Sequence, residues 1–117
     1  MELVAFLGND KESWGQISAL INRGKWEKVV IVKGKDSDDF PQEVNETIKV
    51  NTSQPILLLK NEMLEKLKAK LSGDFEVALS IASGNGKEHM AIVSALLGVP
   101  VGIRLVAYTK DGVEFIN

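Results

Sequence analysis

The residues with the most chemical content lie in one short run, Ser83-Gly84-Asn85-Gly86-Lys87. Two glycines let backbone amides approach a ligand closely and tolerate positive φ. A helical pattern follows at once, and the free amides and dipole at a helix start favour negative charge. Lys87 adds a point charge, while Ser83 and Asn85 add hydrogen-bonding groups. That combination is a recipe for holding a phosphate. The run is neither a Walker A motif nor G-x-G-x-x-G, and a glycine-softened turn with a cap and a charge accounts for the same residues. Both readings stand at this point. A second polar turn, Gly8-Asn9-Asp10, has related composition: Asp10 reads as a helix N-cap, and Asn9 has no duty beyond the turn. His89, the sole histidine, stands early in the helix after Lys87, where it either reaches a ligand or packs against a neighbour.

Other chemistries are excluded or unsupported. The 117 residues contain no cysteine and one histidine, which removes disulfides, thiol nucleophiles, thiolate metal sites and histidine clusters. No metal and no cofactor is expected. Asp36, Asp38 and Asp39 lack calcium-loop spacing and read as a solvated turn. Formal net charge is −2, so no positive field argues for direct DNA binding or a charged membrane surface. No apolar run approaches the length of a membrane helix. The expectation is a cytoplasmic domain spanning residues 1–117, with 44% apolar and 26% charged residues.

The elements that must position these turns are legible as patterns. Leu3–Leu7 and Val29–Val32 are continuous apolar runs, as in strands covered on both faces. Between them Trp14, Ile17, Leu20 and Ile21 recur at helical spacing, and Gly24 supplies a stop. Lys33–Gln42 reads as a loop, and Glu46–Thr52 as a half-polar edge strand. A helix follows, with Ser53 as cap, Pro55 in its first turn and a stripe through Leu59, Met63, Leu67 and Leu71. Phe75–Ile81 is the fourth strand and Glu88–Leu97 the third helix. Val99–Tyr108 and Val113–Ile116 flank an Asp111-Gly112 hairpin signal. The class is α/β, β-α-β-β-α-β-α-β-β, with a mainly parallel sheet and a C-terminal antiparallel hairpin. Ligands of such sheets bind beyond the carboxyl ends of the strands, where strand order reverses. Gly8–Asp10 and Ser83–Lys87 are expected to converge there. The third helix is apolar at nearly every position from Met90 to Leu97, so it is either sandwiched or covered by a second copy. Trp14 and Trp26 read as packing residues.

The fourth strand, Ser83-Gly84-Asn85-Gly86-Lys87, the small-and-aliphatic helix and the Val101–Ile116 hairpin together resemble the C-terminal half of CARF domains, the CRISPR-associated Rossmann-fold sensors. The family carries a T/S-G-G-T/N-K/R-x-M-like segment after the fourth strand and a short polar turn after the first. Here Met90 falls one place later than usual, and Glu88 and His89 are atypical. The resemblance implies a Rossmann-like three-layer sandwich that forms a homodimer and binds a cyclic oligoadenylate across the two-fold axis in antiviral defence signalling. Within that family the chain reads as a stand-alone single-domain member. Carried over, Gly8, Asn9, Asp10, Ser83, Gly84, Asn85, Gly86, Lys87 and His89 would contact the ligand. If the ring is cleaved without a metal, Lys87 would stabilise the transition state and Asn9 or Ser83 would orient the sugar, with His89 a proton carrier. A non-enzymatic nucleotide-binding or regulatory dimerisation module is the alternative.

Overall fold

Leu3 to Leu7 are each shut off from solvent, which requires cover on both faces of their strand. The computed structural model, which describes all 117 residues, supplies that cover. Its elements are β1 (Glu2–Leu7), α1 (Trp14–Arg23), β2 (Lys28–Gly34), β3 (Glu46–Val50), α2 (Ile56–Lys70), β4 (Glu76–Ser80), α3 (Gly86–Gly98), β5 (Gly102–Thr109) and β6 (Gly112–Phe115). The strands form one sheet in the order β3-β2-β1-β4-β5-β6. All neighbours are parallel except β5 and β6. This is the mainly parallel α/β sandwich with a terminal hairpin that the patterns imply, and β3 lies at an edge as its half-polar composition suggests.

Alternation along β1 divides the core. Leu3, Ala5 and Leu7 join Trp14, Ile17 and Leu20 of α1 on one face. Val4 and Phe6 join Leu59, Met63 and Leu67 of α2 and Ala91, Ile92, Ala95 and Leu96 of α3 on the other. The result is three layers, Rossmann-like in order. Met63 is fully buried in the larger cluster. Met63→Ala is therefore expected to cost about 3 kcal/mol through lost burial and a residual cavity. A urea denaturation midpoint that does not fall would contradict this placement.

The hairpin turns through Lys110 and Asp111, which keep negative φ, while Gly112 takes φ 107°. The turn closes on a glycine with positive φ, and the pairing of Thr109 with Gly112 sets the register of the return strand.

Several local expectations are corrected. The Asp10 side chain does not cap the turn that follows it; it bonds across to another loop, as described below. Ser53 does not cap α2, because Pro55 holds the N-cap position in an extended conformation without a side-chain cap. α3 begins at Gly86, two residues before the expected Glu88. Asn85 accepts the Glu88 amide there, and the Glu88 carboxylate accepts the Asn85 amide, a complete capping box. Nor is α3 sandwiched: Met90 is 63% and Leu97 70% exposed, on the side away from Ala91, Ile92, Ala95 and Leu96. Trp14 is buried and Trp26 half-buried, as packing residues. No helix is long and apolar enough to cross a membrane.

Candidate functional site

β1 and β4 are parallel neighbours, with Ala5 beside Ser80. The turns that leave their carboxyl ends therefore stand side by side, at the point where strand order reverses. The Gly8 amide donates to Ser83 Oγ at 2.8 Å. Ser83 Oγ in turn donates to Asp10 Oδ1 at 3.0 Å, and the Gly84 amide donates to the same oxygen at 3.0 Å. Trp14 Nε1 donates to the Gly8 carbonyl at 2.9 Å, fixing the first turn from below. The two turns are one hydrogen-bonded unit.

Two glycines make that closeness possible. A methyl group at Gly8 would lie 2.6 Å from the Gly84 backbone, and Gly84 itself holds φ 101° with Phe6 beneath it. Burial works to raise the Asp10 carboxyl, but the bonds from the Gly84 amide and the Ser83 hydroxyl outweigh it and hold Asp10 below the usual carboxylate range. Asp10 is thus a carboxylate at neutral pH.

Asn9 projects from this unit, exposed, and its Oδ1 accepts from the Ser37 hydroxyl at 2.8 Å. It lines two polar cavities. One, of about 250 Å³, is bounded by Asn9, Asp10, Gly84, Asn85 and Glu88. The other, of about 300 Å³, reaches from Asn9 past Lys35 and Ser37 to Asn51 and Thr52. Together they make a polar groove along the carboxyl ends of β3, β2, β1 and β4.

The structure thus brings together Gly8, Asn9, Asp10, Ser83, Gly84 and Asn85, and it gives the remaining sequence-derived residues other surroundings. Ser83 is fully buried, its hydroxyl spent inside the unit. Lys87 turns from the glycine run to donate to the Thr52 carbonyl at 3.0 Å, tying α3 to the loop after β3. His89 Nε2 meets the Ser83 carbonyl at 2.7 Å; a carbonyl only accepts, so this nitrogen carries a hydrogen. Gly86 is exposed in the first turn of α3.

The electrostatics also differ from a bare phosphate cradle. The Gly84 amide already serves the Asp10 carboxylate, and the Asn85 amide serves that of Glu88. Of the amides at the start of α3, those of Gly86 and Lys87 have no partner within the helix. The groove therefore offers carboxylate and amide acceptors for hydroxyls and amino groups, with Lys35 for negative charge; the two free amides follow Asn85, next to the lining and not part of it. Sequence reasoning missed Ser37, Asn51, Thr52 and Glu88. The first three follow β2 and β3 at the same carboxyl-end level, so the rule that singled out the other two turns applied to them as well.

No protein-family model matches the chain, and no curated protein is similar enough in sequence to stand as a relative.

Proposed function

We propose that the groove binds a nucleotide, with a cyclic oligoadenylate as the ligand that the glycine-rich segment suggests, and that two copies of the chain share it. The observation that carries the reading is the pair of locked turns at the strand-order reversal, opening on a polar trough of adjoining cavities of about 300 and 250 Å³. That is the position and scale of small-ligand sites in open α/β sheets. Asp10 and Glu88 suit ribose hydroxyls, and Asn9, Asn85 and Thr52 suit base edges. The Gly86 and Lys87 amides are left for a phosphate oxygen.

Binding without cleavage is favoured over ring hydrolysis. Of Lys87, Asn9 and Ser83, the groups a metal-independent cleavage would draw on, Ser83 and Lys87 are engaged within the chain and only Asn9 is exposed in the groove. The reading is a sensor or sink. A cysteine-free composition suits the reducing cytoplasm in which such signalling runs.

The shared site rests on α3. Met90, Ser94 and Leu97 form an exposed stripe at i, i+4 and i+7 on a helix that begins at the groove. A two-fold contact along this stripe would set two grooves close together. Leu97→Glu is expected to leave a folded monomer, read by sedimentation velocity against a dimeric wild type. A wild type that sediments as a monomer at every concentration would count against the shared site.

The binding reading itself is tested by ¹H–¹⁵N shift mapping with adenosine monophosphate and with cyclic tetra- and hexa-adenylate. Saturable shifts are expected at Asn9, Thr52, Asn85 and Gly86, and Asn9→Ala is expected to weaken binding about tenfold, the worth of one good hydrogen bond. Shifts absent with all three ligands, or confined to residues far from the groove, would overturn it.

A further inference from the structure

Lys33 of β2 has Lys49 of β3 as its register partner. Register partners on adjacent strands project to the same face, so two lysines stand side by side, which is destabilising unless an anion answers them. The Lys33 side chain is 3% exposed. Of its three ammonium donors, one reaches the Asp38 carbonyl at 2.8 Å. The only carboxylate paired with it, that of Asp39, lies 3.7 Å away, beyond hydrogen-bond length, and is itself fully exposed. None of the ion pairs in the chain includes Lys49. A buried ammonium with so little compensation is costly by itself.

A cavity of about 420 Å³ adjoins these lysines, lined by Ile31, Lys33, Phe40, Gln42, Thr47 and Lys49, with the Asp39 carboxylate at its rim. It opens because α1, the single helix on this face, packs over β1, β5 and β6. The carboxyl halves of β2 and β3 are left to the segment after β2, whose Phe40 stands edge-on to Trp14 with ring centroids 5.8 Å apart. The cavity shares no lining residue with the groove around Asn9.

We propose that this cavity is a second ligand site, for a small oxyanion with an aromatic body. Lys33 and Lys49 hold the phosphate or carboxylate head, Gln42 and Thr47 hydrogen-bond to it, and Phe40 and Ile31 cover the ring. The site is separate from the nucleotide groove and does not depend on it.

The test titrates the full chain with phenyl phosphate, benzoate and inorganic phosphate, following backbone amides and the Trp14 indole N–H by NMR. The expected result is saturable shifts at Phe40, Thr47 and Lys49 and at the Trp14 indole, with Asn9 and Asn85 unmoved. One aryl anion should bind at least tenfold more tightly than inorganic phosphate; phenyl phosphate prevailing assigns a phosphate head, and benzoate a carboxylate. Lys49→Ala, an exposed edge substitution, should weaken binding about tenfold, and the near-isosteric Lys33→Met should abolish it. Three outcomes would overturn the proposal. One is the absence of saturation by roughly 10 mM, above any affinity of consequence. Another is equal binding in Lys49→Ala and the wild type. The last is phosphate binding as tightly as the aryl anions, which would mean an adventitious ion only.

Discussion

Replacing Gly8 with alanine is expected to lower stability by about 3 kcal/mol, the upper part of the range for overpacking a closed site, and to abolish ligand binding in the groove. The added methyl would stand 2.6 Å from the Gly84 amide nitrogen and Cα and 2.5 Å from Asp10 Oδ1. Backbone lies on one side and a bonded carboxylate on the other, so neither neighbour can step aside without breaking the lock between the turns. Gly86 supplies the control. A methyl there meets nothing, and its φ is not positive, so Gly86→Ala is expected to leave stability unchanged or raise it slightly, since alanine is the better helix former. Urea denaturation of the two variants measures the contrast. Equal midpoints would mean that the close approach of the turns contributes nothing.

Asp10→Asn is expected to cost about 2 kcal/mol at neutral pH, within the range for hydrogen bonds to a charged group, and to flatten the acid side of the stability profile. Asp10 is held below the ordinary carboxylate range in the folded chain despite its partial burial, chiefly by the Gly84 amide and the Ser83 hydroxyl. A group with a depressed folded pKa takes up its proton more readily when unfolded. Its contribution is therefore complete above the unfolded value, about 3.9, and is lost as pH falls through the lower folded value. The wild type should lose its advantage over Asp10→Asn between about pH 4 and the acid unfolding limit. Paired urea titrations from pH 7 down to pH 3 read this directly. A difference that stays constant over that interval would mean that Asp10 does not act through its charge.

Much of this arrangement was legible in the residues. The aliphatic runs at Leu3–Leu7 and Val29–Val32 read as strands covered on both faces, and the segment between them is long enough for a crossover helix. The Asp-Gly pair marked the hairpin, and the rule of carboxyl ends brought Gly8–Asp10 to Ser83–Gly84. What escaped was the choice of partner for each polar side chain. Asp10 has the right type and place for a cap, yet two donors from the neighbouring loop outbid the local turn. Lys87 reads as a charge at a helix start, yet its long side chain reaches a carbonyl on the loop after β3. The separation along the chain is 73 residues in the first case and 35 in the second, and no local pattern encodes such pairings. Lys33 escaped for a different reason. It follows an aliphatic strand and precedes a glycine, so it reads as the first residue of a loop. Only its pairing with Leu7 of β1 and Lys49 of β3 shows that it continues the strand, buried beside a second lysine.

The central claim, that the groove at the strand-order reversal holds a nucleotide between two copies of the chain, is tested most directly by isothermal titration with cyclic tetra- and hexa-adenylate, followed by chromatography of the recovered nucleotide. Saturable binding of one ring per two chains is expected, with the ring recovered intact. No heat with either ring at concentrations up to the millimolar range would contradict it, and a linear product would replace the sensor reading with an enzymatic one.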